Sequence, residues 1–279
     1  MRLSIAIGAL SLAGASGSWA QNAPAPAPPE GRQPAPPAPV QPELRELFPG
    51  VRADLKSKVV EFDGEVPIDC HDAKTPHVYL EVFVCTSDTK EHEALAMTKA
   101  KPSHIHAALL ACGYVPGKPG SWTWDADAKK LKTHPPEGDA LDVFIAYTDA
   151  QGKEIEARAS DWVVSTRGKR FEPIEPDKPG WWVFAGSTTA TRAGREVYDA
   201  DGTGTLVGLA TFGMETIAWR GVISHEASFE EPEWIADAKL VPKFGTKVVI
   251  RIKPAAAVET PQTAPPASPT PPAKEPGGK

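Results

Sequence analysis

The sequence predicts an α+β fold: a predominantly antiparallel β-sheet, or two packed sheets, with one short helix over about 103–112 on a face. Three observations predict it. Apolar runs rich in β-branched and aromatic residues recur along the chain, as in 78–84 and 141–147. Gly- and Asp-containing turns separate several of them at hairpin distance. Only one segment combines helical periodicity with start and stop residues.

In chain order, Val59-Val60-Glu61-Phe62 leads into Asp63-Gly64 and then Glu65-Val66, which reads as a hairpin because Asp-Gly suits a two-residue turn. Val78 to Val84 is nearly all apolar and reads as a central strand; Glu93 to Thr98 reads as the next. Ser103 suits a helix N-cap and Gly113 the left-handed residue after the end. Between them Ile105, Ala108, Leu109 and Cys112 fall at i, i+3, i+4 and i+7, giving one apolar face. A helix of about ten residues is marginal alone, so it must be held by the sheet. Leu141 to Tyr147 and Glu154 to Ala159 flank Asp149-Ala150-Gln151-Gly152, a second hairpin. Trp181 to Ala185 reads as a further buried strand. Glu196 to Tyr198 and Thr205 to Thr211 flank an Asp/Gly-rich turn at 199–204, and Lys247 to Ile252 alternates as a closing strand.

The ends of the 279-residue chain read differently. Met1-Arg2, an apolar run to Ala13 and Ser18-Trp19-Ala20 have the order of a secretory signal peptide cut near Ala20. The run is too short and too rich in Gly and Ser to span a membrane. Residues 21–42 and 254–279 are Pro/Ala-rich and hold more than half of the 30 prolines, as expected of disordered spacers. The folded domain is expected over 43–253. The predicted location is therefore periplasmic or extracellular, with no transmembrane segment after cleavage. A net charge of −6 without a basic patch argues against a nucleic-acid partner.

Chemistry-bearing residues concentrate between Cys85 and Gly113, which hold two of the three cysteines and three of the seven histidines. His104 and His106 lie two apart, so on a helix they point to opposite sides and cannot share one metal. The metal reading is a three-ligand site of Cys85, His92 and His106, with Glu93 beside it; thiolate and imidazole ligands suit zinc or copper. The plainer reading makes Cys85 a buried small hydrophobe or a disulfide partner of Cys112, with His92 solvated and His106 packed on the sheet. The spacing matches no standard ligand pattern, and the plainer reading is preferred. Cys70, His71 and His77 flank a turn and read as turn residues. One cysteine stays unpaired in any pairing, which leaves a thiol role as a third reading.

Other catalytic patterns are absent. No G-x-S-x-G surrounds Ser187, no P-loop spacing surrounds Lys118, and Asp199-Ala200-Asp201-Gly202 lacks the glutamate of a calcium loop. Trp122 and Trp124 share one face of an extended segment and are candidates for stacking on a sugar or peptide, although aromatic pairs at strand spacing are more often core.

Four blocks carry a family resemblance: FPGVRADLKSKVVEFDGEV, VCTSDTKEHEALAMTKAKPSHIHAALLACGYVPGKPG, WWVFAGS at 181–187, and VPKFGTKVVIRIKP. Over about Leu47 to Pro254 the chain resembles the YdjY-domain family of exported bacterial proteins, which has no assigned activity. The resemblance implies domain extent and export, and it directs attention to Cys85, Lys90, Glu91, His92, Glu93 and His106. Some members carry an added cysteine cluster and are described as ferredoxin-like. Three scattered cysteines cannot supply four thiolates, so no iron–sulfur cluster is expected here. The function expected is a non-enzymatic module that binds an envelope component or a protein partner.

Overall fold

Val248, Ile250 and Ile252 point one way from the closing strand and are buried, while Arg251 and Lys253 point the other. That alternation places the strand on the wall of a core, with its outer face tied by Arg251 to Glu61, Glu154 and Glu156. A computed structural model describes residues 43–74 and 77–256. The expected signal peptide at 1–20, the expected linker at 21–42 and the expected tail beyond 256 lie outside the described residues.

Eight strands form a closed barrel rather than an open sheet or two packed sheets. Around the ring they are Val59–Glu65, Lys247–Pro254, Ala140–Thr148, Trp182–Val183, Ile217–Trp219, Thr205–Gly208, Val82–Thr86 and Ala94–Thr98. Neighbours are antiparallel except Thr205–Gly208 with Ile217–Trp219 and Val82–Thr86 with Ala94–Thr98. The ring closes where Glu65 pairs with Met97. Arg45–Phe48 and Val51–Asp54 extend the wall from the first strand, and Glu154–Arg158 extends it from Ala140–Thr148. The α+β character holds, with one helix of ten residues, Pro102–Ala111, among the described residues. Trp182, Phe62, Phe83, Phe184, Leu95 and Leu141 are among the largest fully buried side chains. Burying each contributes roughly 1.5–3 kcal/mol.

Closure explains the first departure from expectation. Asp63-Gly64 is not a turn: Val59–Glu65 runs straight through it, and its hairpin partner is the upstream Val51–Asp54. A Cβ on Gly64 would lie 2.5 Å from Ile250 Cδ1 and 2.7 Å from the Met97 carbonyl oxygen. The glycine is there because two strands approach closely at the seam.

Three more elements differ in extent. The run from Val78 becomes regular only at Val82–Thr86, since Tyr79 makes a single bridge to Ile235 in another segment. Trp182–Val183 stops early because Gly186 (φ 85°) and Ser187 (φ 57°) turn the chain. The segment at 199–204 is not a hairpin loop. Asp199–Thr203 is a helical turn ended by left-handed Gly204, and Arg195–Tyr198 pairs back with Thr189–Arg192.

The helix sinks Ile105, Ala108 and Leu109 into the main core. Pro102-Ser103 opens it as expected, but the N-cap position falls to the extended Lys101 and not to Ser103, with Pro102 at the first helical position. Ser103 is itself capped: its N–H and hydroxyl donate to the Asp201 carboxylate at 2.8 and 2.7 Å. Gly113 has the expected left-handed backbone, φ 79°. Ala140–Thr148 and Glu154–Arg158 form the hairpin expected around 149–152.

Candidate functional site

The fold disperses the predicted cysteine and histidine ligands. Cys85 lies on the outer side of the barrel wall, fully buried with Val82, Ala94, Met97 and Phe212. Burial pushes its thiol up to about 11, which opposes the thiolate that a metal or a nucleophilic role requires. His92 lies in the helical turn Glu91–Glu93, not in the following strand, and its side chain is 80 % exposed. Its Nε2 is 3.7 Å from the Glu93 carboxylate. His106 sits on the helix against Phe184, in the main core region. Among the described residues no three His, Cys, Asp or Glu side chains gather as a ligand set, so Cys85, His92 and His106 are not brought together. Nor do Cys85 and Cys112 bridge. All three cysteines are free and buried, and Cys112 packs in the main core beside the Asp54 carbonyl while Cys85 belongs to the outer cluster. Cys70 lies beside His71, with Sγ 3.9 Å from Nδ1, and His77 packs edge-on to Tyr79.

The helix does separate its two histidines. His104 stacks on Phe48 with centroids 4.7 Å apart, while His106 turns to Tyr198 with Nδ1 2.9 Å from the hydroxyl. The same hydroxyl lies 3.1 Å from both the Gly186 carbonyl and Thr216 Oγ1. Ser187 completes the knot, donating to the Met214 carbonyl at 2.6 Å and accepting from Ala200 N–H at 3.3 Å. Burial lowers the His106 pKa and pushes Tyr198 up to about 12, so both are neutral at physiological pH. The knot joins the helix to the WWVFAGS segment. Its groups satisfy one another, which is the pattern of a structural tie.

A second cluster faces outward. Lys90 Nζ lies 2.8 Å from Glu93 and 3.4 Å from Glu81, so one ammonium bridges two carboxylates. These three side chains are 17–31 % exposed. Burial, then the charge of Glu93, raises the pKa of Glu81. The Lys90 ammonium also sits 4.1 Å over the Phe212 ring. From Phe212 a row of rings continues: His225 stacked at 4.7 Å, Trp122 at 5.5 Å, Phe229 at 5.7 Å and Trp124 at 5.1 Å. One carbonyl sets the middle of the row, because the Thr211 oxygen accepts from Trp122 Nε1 at 3.1 Å and from His225 Nδ1 at 3.0 Å. That bond assigns the His225 proton to Nδ1 and leaves Nε2 as an acceptor when the ring is neutral.

Trp122 and Trp124 do share a face, on the hairpin of Ser121–Asp125 with Lys130–His134. Trp122 is the anchored ring, and Trp124, 38 % exposed, is the outermost. Sequence reasoning found Lys90, Glu93 and the two tryptophans but not Glu81, Phe212, His225 or Phe229. No local spacing links these, since five separate segments supply the row and its charged end.

The YdjY-domain family model matches residues 51–253. The chain belongs to the YdjY-domain family. The match takes in all eight barrel strands up to Lys253, the His106–Tyr198 knot, and the whole YdjY-domain row from Lys90 to Phe229. No curated protein matches the chain, and no solved structure matches it.

Proposed function

We propose that this YdjY-domain protein is an exported, non-enzymatic binding module of the cell envelope, and that its binding face is the aromatic row ending on Lys90, Glu81 and Glu93. One observation carries this reading: an outward-facing row of five rings meets a half-buried carboxylate–ammonium–carboxylate trio. Binding sites combine apolar ring surface with a few fixed polar groups in this way. The leader-like N-terminus and the Pro-rich segments support export and a tethered or spaced domain. The dispersed histidines and the buried, high-pKa Cys85 speak against the metal and thiol readings.

The test is co-sedimentation of the tag-free secreted protein with isolated cell-envelope fractions. Wild type should sediment with the envelope, and Trp124→Ala and Lys90→Ala should each cut the bound fraction several-fold while remaining folded by circular dichroism. Wild type that stays in the supernatant, or sediments equally with both variants, would sink the reading.

A further inference from the structure

One short return of chain assembles the row, and a buried acid holds that return. Leu209 and Ala210 donate their N–H groups to the Glu81 carbonyl at 3.1 and 2.8 Å, and Thr211 donates to the Ile223 carbonyl at 2.8 Å. The next two N–H groups, of Phe212 and Gly213, go instead to Oε1 of Glu215. Residues 211 and 212 carry the row. The Thr211 carbonyl accepts from Trp122 and His225, and the Phe212 ring meets Lys90 and His225. Gly208 leaves the acid its space, since a Cβ there would lie 2.6 Å from Glu215 Cγ.

The other carboxyl oxygen is bare. Glu215 is buried, and Oε2 has no hydrogen-bond partner among the described residues. The titratable groups around the turn bond elsewhere. Lys90 goes to Glu81 and Glu93, and His225 gives Nδ1 to Thr211. From the 184–187 side Ser187 meets only the carbonyls of Met214 and Glu215. Beyond Thr216 lie Tyr198 and His106, bonded to each other. A neutral carboxyl leaves a hydroxyl dry at Oε2, whereas a carboxylate leaves a charge dry, which costs far more. Burial accordingly raises the pKa of Glu215. Ionisation is relieved when water reaches Oε2, which requires the carboxyl or the turn it holds to move.

We propose that Glu215 is a proton-operated latch on the aromatic row: with its carboxyl neutral the 212–214 turn is shut and the row assembled, and with its carboxyl ionised the turn is released and the row loosens. This adds regulation to the binding face and rests on the reading of the row as that face. In the released state the glutamate is solvated and titrates near its ordinary value of about 4.3. By linkage the shut state holds fully below that value. It is disfavoured as pH rises through the higher value of the shut state, by up to about tenfold per pH unit.

NMR of the full chain between pH 4 and 8 tests the latch without any ligand. The Phe212 and Gly213 amides and the Trp122 indole N–H should titrate together, with a midpoint above about 4.3. The step should persist in His225→Gln and vanish in Glu215→Gln, which mimics the neutral acid. Absence of the step from the wild type overturns the latch whatever the variants do, and so does a step that His225→Gln removes or Glu215→Gln keeps. Sedimentation with envelope fractions reads the consequence. The wild-type bound fraction should fall at least about threefold from pH 5 to pH 8, while that of Glu215→Gln should change less than about 1.5-fold. Trp124-dependent binding with the same pH profile in wild type and Glu215→Gln overturns the latch and keeps the face. If the NMR step behaves as expected and nothing sediments with the envelope at any pH, the latch stands and the binding face falls.

Discussion

Glu215 is 1 % exposed, and its Oε2 has no hydrogen-bond partner among the described residues, while Oε1 accepts from the N–H groups of Phe212 and Gly213. Burial raises its pKa in the folded protein. A carboxyl whose folded pKa is raised contributes fully below its unfolded pKa, about 4.3, and costs stability as pH rises through the folded value. Glu215→Gln mimics the protonated acid. It should raise Tm at pH 7, with the gain vanishing below about pH 4; thermal melts across that range check it, and a loss of Tm at pH 7 would refute the assignment. Tyr198 is the opposite case, a buried polar group with every bond made. Tyr198→Phe leaves His106 Nδ1, Thr216 and the Gly186 carbonyl short of a partner. The expected cost is about 1–3 kcal/mol in urea unfolding.

The helix Pro102–Ala111 was legible because its determinants are local. Ile105, Ala108 and Leu109 are buried as their spacing predicts, and Gly113 ends the helix. Its capping was not, since the carboxylate that accepts from Ser103 belongs to Asp201, 98 residues away. Asp201→Ala should lower stability by about 0.5–2 kcal/mol in denaturant unfolding, as loss of a cap does. Asp201→Asn, which can still accept from Ser103, should recover most of it. Asp63-Gly64 misled for a related reason. The pair has turn chemistry, but the glycine answers to Met97 and Ile250, neither of which is near it in the chain. The aromatic row divides the same way. Trp122 and Trp124 are visible as neighbours at strand spacing, whereas Phe212, His225 and Phe229 join them only through the barrel's return strands and loops.

At the scale of the molecule, β-content and the hairpin around 149–152 could be read from alternation, but closure could not. A strand pattern gives inward and outward faces without saying whether the last strand meets the first. Here the seam is a close approach, so Gly64→Ala tests it directly. The added methyl meets the Met97 carbonyl as well as the Ile250 side chain, and backbone cannot step aside as a rotamer can. The expected cost is about 1–3 kcal/mol. Gly152→Ala, with φ 80° but open space around it, carries backbone strain without a clash and should cost less.

The wall is therefore of uneven strength around its circumference. Lys247–Pro254 shares a six-residue register with each of its neighbours, whereas Val59–Glu65 and Ala94–Thr98 are held by the single pair Glu65 and Met97, with Thr98 Oγ1 donating to the Asp63 carbonyl at 2.7 Å. Native-state amide exchange should reveal a hierarchy. The amides of Val249, Ile250 and Arg251 should exchange only through global unfolding, while those of Glu65, Met97 and Lys99 exchange through a cheaper local opening. The barrel would then breathe along one line, at the hollow of about 480 Å³ bordered by Pro49, Met97 and Lys247, while Lys247–Pro254 and its two neighbours stay zipped together.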